Sequence, residues 1–173
     1  MPKEDHYSGL SWMTEEMKNH LLQRDKIVEE QDMDALFALD DNSDFAIALH
    51  EILISRYENN SNALSPIQLN LFLCMHLENA GQADHILSFL QEWFPQHAKD
   101  VANALNEIGA IKSAELIKQA VELLPKDGSW FFKSADETVQ ILMSKIDREF
   151  SGYPDGMLRD LYRKYAENNR SDI

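Results

Sequence analysis

Apolar residues return every three or four positions along this chain, and nowhere do they alternate as a strand would require. Thr14 is a suitable N-cap, and Glu15 and Glu16 after it suit the positive end of a helix dipole. Met17, Leu21, Arg24 and Val28 then form a mostly apolar stripe, with Asp25, Glu29 and Asp32 in a neighbouring row if the helix extends that far. A short helix is expected from about Met33 to Leu39, capped by Asp32 or Asp34. Ser43 would cap a stronger one, DFAIALHEILISRYENN, which gathers Phe45, Leu49, Ile52 and Leu53 on one side. Asp44, Glu51 and Glu58 recur every seventh residue and so stack on the other side, about 10 Å apart at the helical rise. The apolar side must face a core, so the acidic row is expected to face outward.

Ser65-Pro66 marks the next start, a cap followed by proline at the first helical position. The segment PIQLNLFLCMHLENAG is apolar nearly all round and is the expected buried central helix, stopping at Gly81. QADHILSFLQEWF ends at Pro95, AKDVANALNEI at Gly109 and KSAELIKQAVELL at Pro125. After the loop KDGSWFFK, Ser134 and Glu137 read as a capping box opening TVQILMSKIDREF. Gly152 to Gly156 make a turn, and MLRDLYRKYAENN is the last helix. The expected fold is all-α: one domain over residues 1–173, about eight helices, with a loose start over residues 1–10.

Composition adds a setting. With 44% hydrophobic and 27% charged residues, the 173-residue chain has the make-up of a soluble globule. No run approaches the roughly 18 apolar residues of a membrane span, and the first ten residues lack an apolar signal core. A lone cysteine, Cys74, cannot close an internal disulfide, so a cytoplasmic location is expected.

Charge changes the picture more. The formal net charge is −14, which disfavours nucleic acid and anionic membrane as ligands and favours a basic protein partner. Residues 1–60 hold fourteen acids against five bases, whereas residues 121–173 hold ten against eight. Within Asp25–Asp44 there are eight carboxylates, Asp25, Glu29, Glu30, Asp32, Asp34, Asp40, Asp41 and Asp44, against Lys26 alone. Met33, Leu36, Phe37 and Leu39 thread through them, too apolar a pattern for a disordered acidic tail. Crowding like charges on short helices costs a few tenths of a kcal/mol per near pair, and charge needed only for solubility would be spread out.

Motifs for catalysis are absent. The chain has no phosphate loop, no dinucleotide glycine fingerprint and no paired-cysteine zinc motif. His50-Glu51 begins like a metalloprotease motif, but Ile54 stands where its second histidine belongs. Cys74, His76 and His85 fall on different faces and read as core or boundary residues. The acidic runs at 32–34 and 40–44 lack the central glycine and closing glutamate of a calcium loop. Neither enzyme activity, a metal nor a cofactor is expected. Trp93-Phe94 and Trp130-Phe131-Phe132 read first as rings closing the core and second as an interface anchor.

Rows of carboxylates three or four apart rise about 4.5–6 Å, comparable with the roughly 3.4 Å at which one DNA strand presents its phosphates. Arginines and lysines that pair with phosphates would pair with such carboxylates. The expected site is therefore Asp25, Glu29, Glu30, Asp32, Asp34, Asp40, Asp41, Asp44, Glu51 and Glu58. Resemblance points the same way. Ala104-Leu105-Asn106-Glu107-Ile108-Gly109-Ala110, the following KSAELIKQAVELLP and the ending Leu161–Asn169 resemble a bacterial family of small acidic all-helical domains that includes a neisserial DNA mimic. The resemblance spans roughly residues 60–170; relatives carry Asn-Gly-Gly-Phe near Glu78-Asn79-Ala80-Gly81, where this chain lacks the second glycine and the phenylalanine. It implies a homodimer that occupies the DNA-binding site of a helix-turn-helix transcription factor and relieves repression. The alternative from another class is a helical adaptor or immunity-type protein docking through an apolar or aromatic surface.

Overall fold

Three long helices laid side by side decide where the charges of this protein go, and side-chain caps set where two of them begin. The computed structural model describes residue 7 and residues 9–173, so most of the expected loose start lies outside the described residues. Thr14 Oγ1 accepts from the Met17 N–H and opens α1, Glu15–Glu30. That helix ends at Gln31, whose backbone turns left-handed at φ 48°. Asp32 therefore leaves the α1 row and instead caps α2, Met33–Phe37. Asp41, rather than Ser43, caps α3, Asn42–Asn59, because its carboxylate reaches two main-chain N–H groups at once. Ser65 and Gln68 form the capping box that opens α4, Pro66–Ala83.

Helix α4 runs past Gly81 rather than stopping there. A Cβ at Gly81 would lie 3.4 Å from the Phe150 ring, so the glycine serves close packing. A π-helical segment, Ser88–Trp93, and a short 3-10 turn, Pro95–His97, lead into α5, Asp100–Glu107, and α6, Ile111–Leu123. Gly109 joins these two at φ 91°, a left-handed position that lets Ala110 N–H bond back to the Leu105 carbonyl at 2.8 Å. A four-residue α7, Phe131–Ser134, precedes α8, Glu137–Ser151. The expected capping box does not form: Ser134 Oγ donates to the Trp130 carbonyl inside α7, and Asp136 caps α8. Helix α9, Leu158–Asn168, and a 3-10 turn, Arg170–Asp172, complete an all-α fold with nine α-helices among the described residues.

Contacts across the sequence fix the layout. His20 meets Asp44 and Gln31 meets Arg56, so α1 and α3 run parallel. Asn42 meets Asp160 and Arg56 meets the Ile173 carbonyl, so α9 also runs parallel to α3, on another side. Helix α4 lies antiparallel to both, its Asn79 and His76 against His50 and its Gln68 against the main-chain oxygens of Asp172 and Ile173. Helices α5 and α8 pack on α4 as well, and α6 joins them to each other. Leu71 to Met75, Leu77 and Ala80 of α4 are all buried, which makes it the central helix its pattern predicts. Phe45, Leu49, Ile52 and Leu53 of α3 have no exposed surface. The aromatic runs divide: Phe131 is fully buried, while Phe132 and Trp93 remain 42% and 45% exposed.

One polar feature is built into this core. His50 Nε2 lies 2.8 Å from His76 Nδ1, and Asn79 approaches the other nitrogen of His50. Burial, and then repulsion from His76, pushes His50 down to about 3, and burial also lowers His76, so both rings stay neutral. Their folded-state values lie below the 6.5 of an ordinary histidine. The stability they contribute is complete above about pH 6.5 and is lost as pH falls from there towards 3, up to about 4 kcal/mol for His50. Glu78, raised by burial, works in the opposite sense below its own titration. Denaturant midpoints measured between pH 7 and 5 are expected to fall in the native protein and to fall clearly less in His50→Gln; equal slopes would contradict this account.

Candidate partner-binding surface

The expected site residues sit on α1, α2, α3 and the turns between them, and packing brings these elements together. Several of the carboxylates have local duties. Asp32 Oδ1 accepts from the Ala35 N–H at 3.0 Å. Asp41 Oδ1 accepts from Ser43 and Asp44 at 2.7 and 3.0 Å, and these N–H groups, Asp44 first, hold its carboxyl below the usual carboxylate range. Both caps are exposed at the positive ends of helix dipoles.

Asp44 departs from the outward row. Its side chain is only 16% exposed, held at 2.6 Å from His20 and 3.5 Å from Arg24 across the seam between α1 and α3. It serves to lock the two parallel helices. Glu51 and Glu58, one and two heptads further along α3, are exposed as phase predicts. On α1, Asp25 accepts a 2.8 Å hydrogen bond from the Tyr7 hydroxyl. That bond comes first in raising the Tyr7 phenol above its ordinary pKa, followed by burial, and the negative charge of Glu51 adds to it. Glu29 is exposed one turn further on.

Salt bridges neutralise part of the set. Glu30 pairs with Lys26 at 3.9 Å and Asp34 with Arg170 at 2.9 Å, both on exposed side chains where such pairs contribute little and exchange easily. Asp25, Asp32, Asp40, Asp41, Glu51 and Glu58 make no ion pair within 4 Å among the described residues. The bases of this region are committed elsewhere. Lys18 pairs with Glu15, and Arg24 with Asp44. Arg56 bonds Gln31 and the Ile173 carbonyl, and burial lowers its pKa.

Helix α9 adds what sequence reading missed. Asp160 and Glu167 line a cleft of about 600 Å³ with Asp40, together with Phe37, Arg163 and Lys164. These acids lie about 120 residues from Asp40 along the chain, and only the parallel packing of α9 against α3 joins them. Arg163 there donates to the carbonyls of Leu39 and Phe37 at the end of α2, pairs with Glu167 and lies over the Phe45 ring. The α9 flank is therefore mixed in charge, and the anionic excess belongs to α1 and α3 and the caps between them.

Among the described residues no group of three or more histidines, cysteines or acids is arranged to hold a metal ion, and no helix is long and apolar enough to cross a membrane. Cys74 is buried with its thiol raised by burial, and His85 is apart from it beside Asp84. No curated protein and no solved structure shows significant similarity to this chain. A family model does match, over residues 62–169, from the loop before α4 to the end of α9, leaving α1 to α3 outside. The matched part holds fifteen acids and ten bases, while the sixty-one residues before it hold fourteen and five. With more than half of its length matched, the chain belongs to the family of DMP19-like proteins.

Proposed function

We propose that this protein is a DNA mimic whose acidic surface occupies the DNA-binding site of a helix-turn-helix transcription factor and keeps that factor from its operator. Family membership supports the general class. The observation that carries the reading is the parallel pairing of α1 and α3, each of which displays exposed carboxylates, Glu29 and Glu30 on one and Glu51 and Glu58 on the other. Packed helices lie about 8–10 Å apart, between the roughly 6 and 12 Å widths of the two grooves of B-DNA. Along α3 the seven-residue interval rises about 10.5 Å, close to three phosphate steps of a DNA strand. Asp32, Asp40 and Asp41 extend the pattern at the helix ends. The caps and the buried face of α3 hold these anions on rigid backbone, so a cationic surface meets them without first ordering them.

In this reading the protein is a homodimer that works in the cytoplasm by occupancy, with no catalytic step and no cofactor. The partner supplies the cations, and neither nucleic acid nor membrane is bound directly. An adaptor docking through exposed apolar side chains such as Trp12 or Ile141 would bind with little salt dependence and without competition from DNA.

The choice of test residues follows from the geometry. Reversing Asp41 or Asp44 would also remove a helix cap or break the tie to α1, so the informative set is Asp40, Glu51 and Glu58, all exposed. Changing these three to lysine is expected to leave the circular dichroism spectrum intact and to weaken capture of the DNA-binding partner at least about 100-fold at low salt. Duplex DNA should displace the native protein from that partner, and affinity should fall steeply with salt. A triple variant that binds as the native protein does would place the contact on another surface.

A further inference from the structure

A half-buried carboxylate lies between helices with no base in direct contact with it. Glu78 of α4 lines a cleft of about 510 Å³ between α3, α4 and the turn that leads into α9, a size typical of small-molecule sites. Its Oε2 accepts from the Tyr162 hydroxyl at 2.8 Å, and its Oε1 from Gln82 Nε2 at 3.3 Å. Gln82 also donates to the Tyr153 hydroxyl. Tyr153 is one of two non-glycine residues with positive φ among those described, at 54°, so the turn carries backbone strain where it places this ring over the cleft.

Every one of these donors is neutral. Among the described residues no lysine or arginine comes within 4 Å of Glu78; Arg159, at the rim, acts on it only through space and is shared with Asp41 and Tyr153. His50, which also lines the cleft, is held neutral by burial. Glu51 adds a second negative charge at the opening. A half-buried carboxylate costs free energy unless a counter-charge accompanies it, and three neutral donors, Tyr162, Gln82 and Tyr153, leave part of its four acceptor positions over. Beside it run the apolar side chains of Ala46, Ile47, Ile54 and Met75, with Ile47 still 42% exposed.

We propose that this cleft binds a small organic cation, an alkylammonium or alkylguanidinium, with its head on Glu78 and its chain along Ile47, Ile54 and Met75. The head supplies the charge that the protein withholds, and the stem covers apolar surface that is open to water. The site shares Glu51 with the proposed mimicry surface but requires no partner protein.

The test uses the full chain with n-butylguanidinium and n-butylammonium chloride as probes, and n-butanol at equal concentration as the uncharged stem. Both cations should shift the Asn79 and Gln82 side-chain amide signals saturably, and at tenfold excess over Kd should raise the thermal midpoint by about 3 °C. Butanol should do neither. Glu78→Gln, which keeps the acceptor and removes the charge, is expected to weaken the cations at least about tenfold. Ile47→Lys, at an exposed position, places a cation of the protein's own in the cleft and should abolish binding with the fold unchanged. Butanol binding as well as the cations, no saturation into tens of millimolar, or unaltered affinity in Glu78→Gln would overturn the site. Should Glu78→Gln fail to fold, Ile47→Lys decides: loss of binding supports the proposal, and undiminished binding removes it. Because no partner is present, failure here leaves the mimic reading untouched.

Discussion

Burial of one face of α3 is the constraint on which the rest of this protein depends. Phe45, Leu49, Ile52 and Leu53 have no solvent exposure, and each fully buried side chain of this size contributes roughly 1.5–3 kcal/mol. That gain outweighs the repulsion of a few tenths of a kcal/mol between neighbouring carboxylates. It also sets the rotation of the helix, so Glu51 and Glu58 have no choice but to face water. Three arginines complete the anchoring, each from or to a different element: Arg24 to Asp44, Arg56 to Gln31 and the Ile173 carbonyl, and Arg163 over Phe45.

Division of labour follows from where the family match lies. The matched part, α4 to α9, is nearly balanced in charge for its size and supplies the central helix. The glycine at the α5–α6 junction and Asp155, which accepts from the N–H groups of Lys112 and Ser113, set the geometry there. Helices α1 to α3 carry the excess of anions and lie on that core through α3. In the proposed reading, mimicry would rest on this layer outside the matched part.

The same helix that displays anions outward has a second polar side facing α4. There His50, with His76 and Asn79 beside it, and Glu78, with its tyrosine and glutamine donors, border one cleft. Neutral histidines and a poorly solvated carboxylate are costly to place in a core; the histidines make it sensitive to acid, and the carboxylate works in the opposite sense. A helix that is apolar nearly all round, as α4 is by its composition, gave no hint that its few polar residues would meet one another.

Local chemistry was legible because it acts between residues a turn apart. Thr14, Ser65 with Pro66, the phase of α3, the buried centre of α4 and the turn at Gly109 were all readable, since caps, periodicity and left-handed glycines need no distant partner. Where two local choices competed, packing decided: Asp41 displaced Ser43, Asp136 displaced Ser134, and Gly81 turned from a stop into a seat for Phe150. Which anions stand together was settled by tertiary structure alone. Sequence showed that Asp44, Glu51 and Glu58 share a helix face, but only the approach of Arg24 withdrew Asp44, and only the docking of α9 brought Asp160 and Glu167 beside Asp40. A charge acts across space, over distances that chain order does not encode; the order of residues determined the helices and their buried sides, and the packing of those helices determined the electrostatic surface.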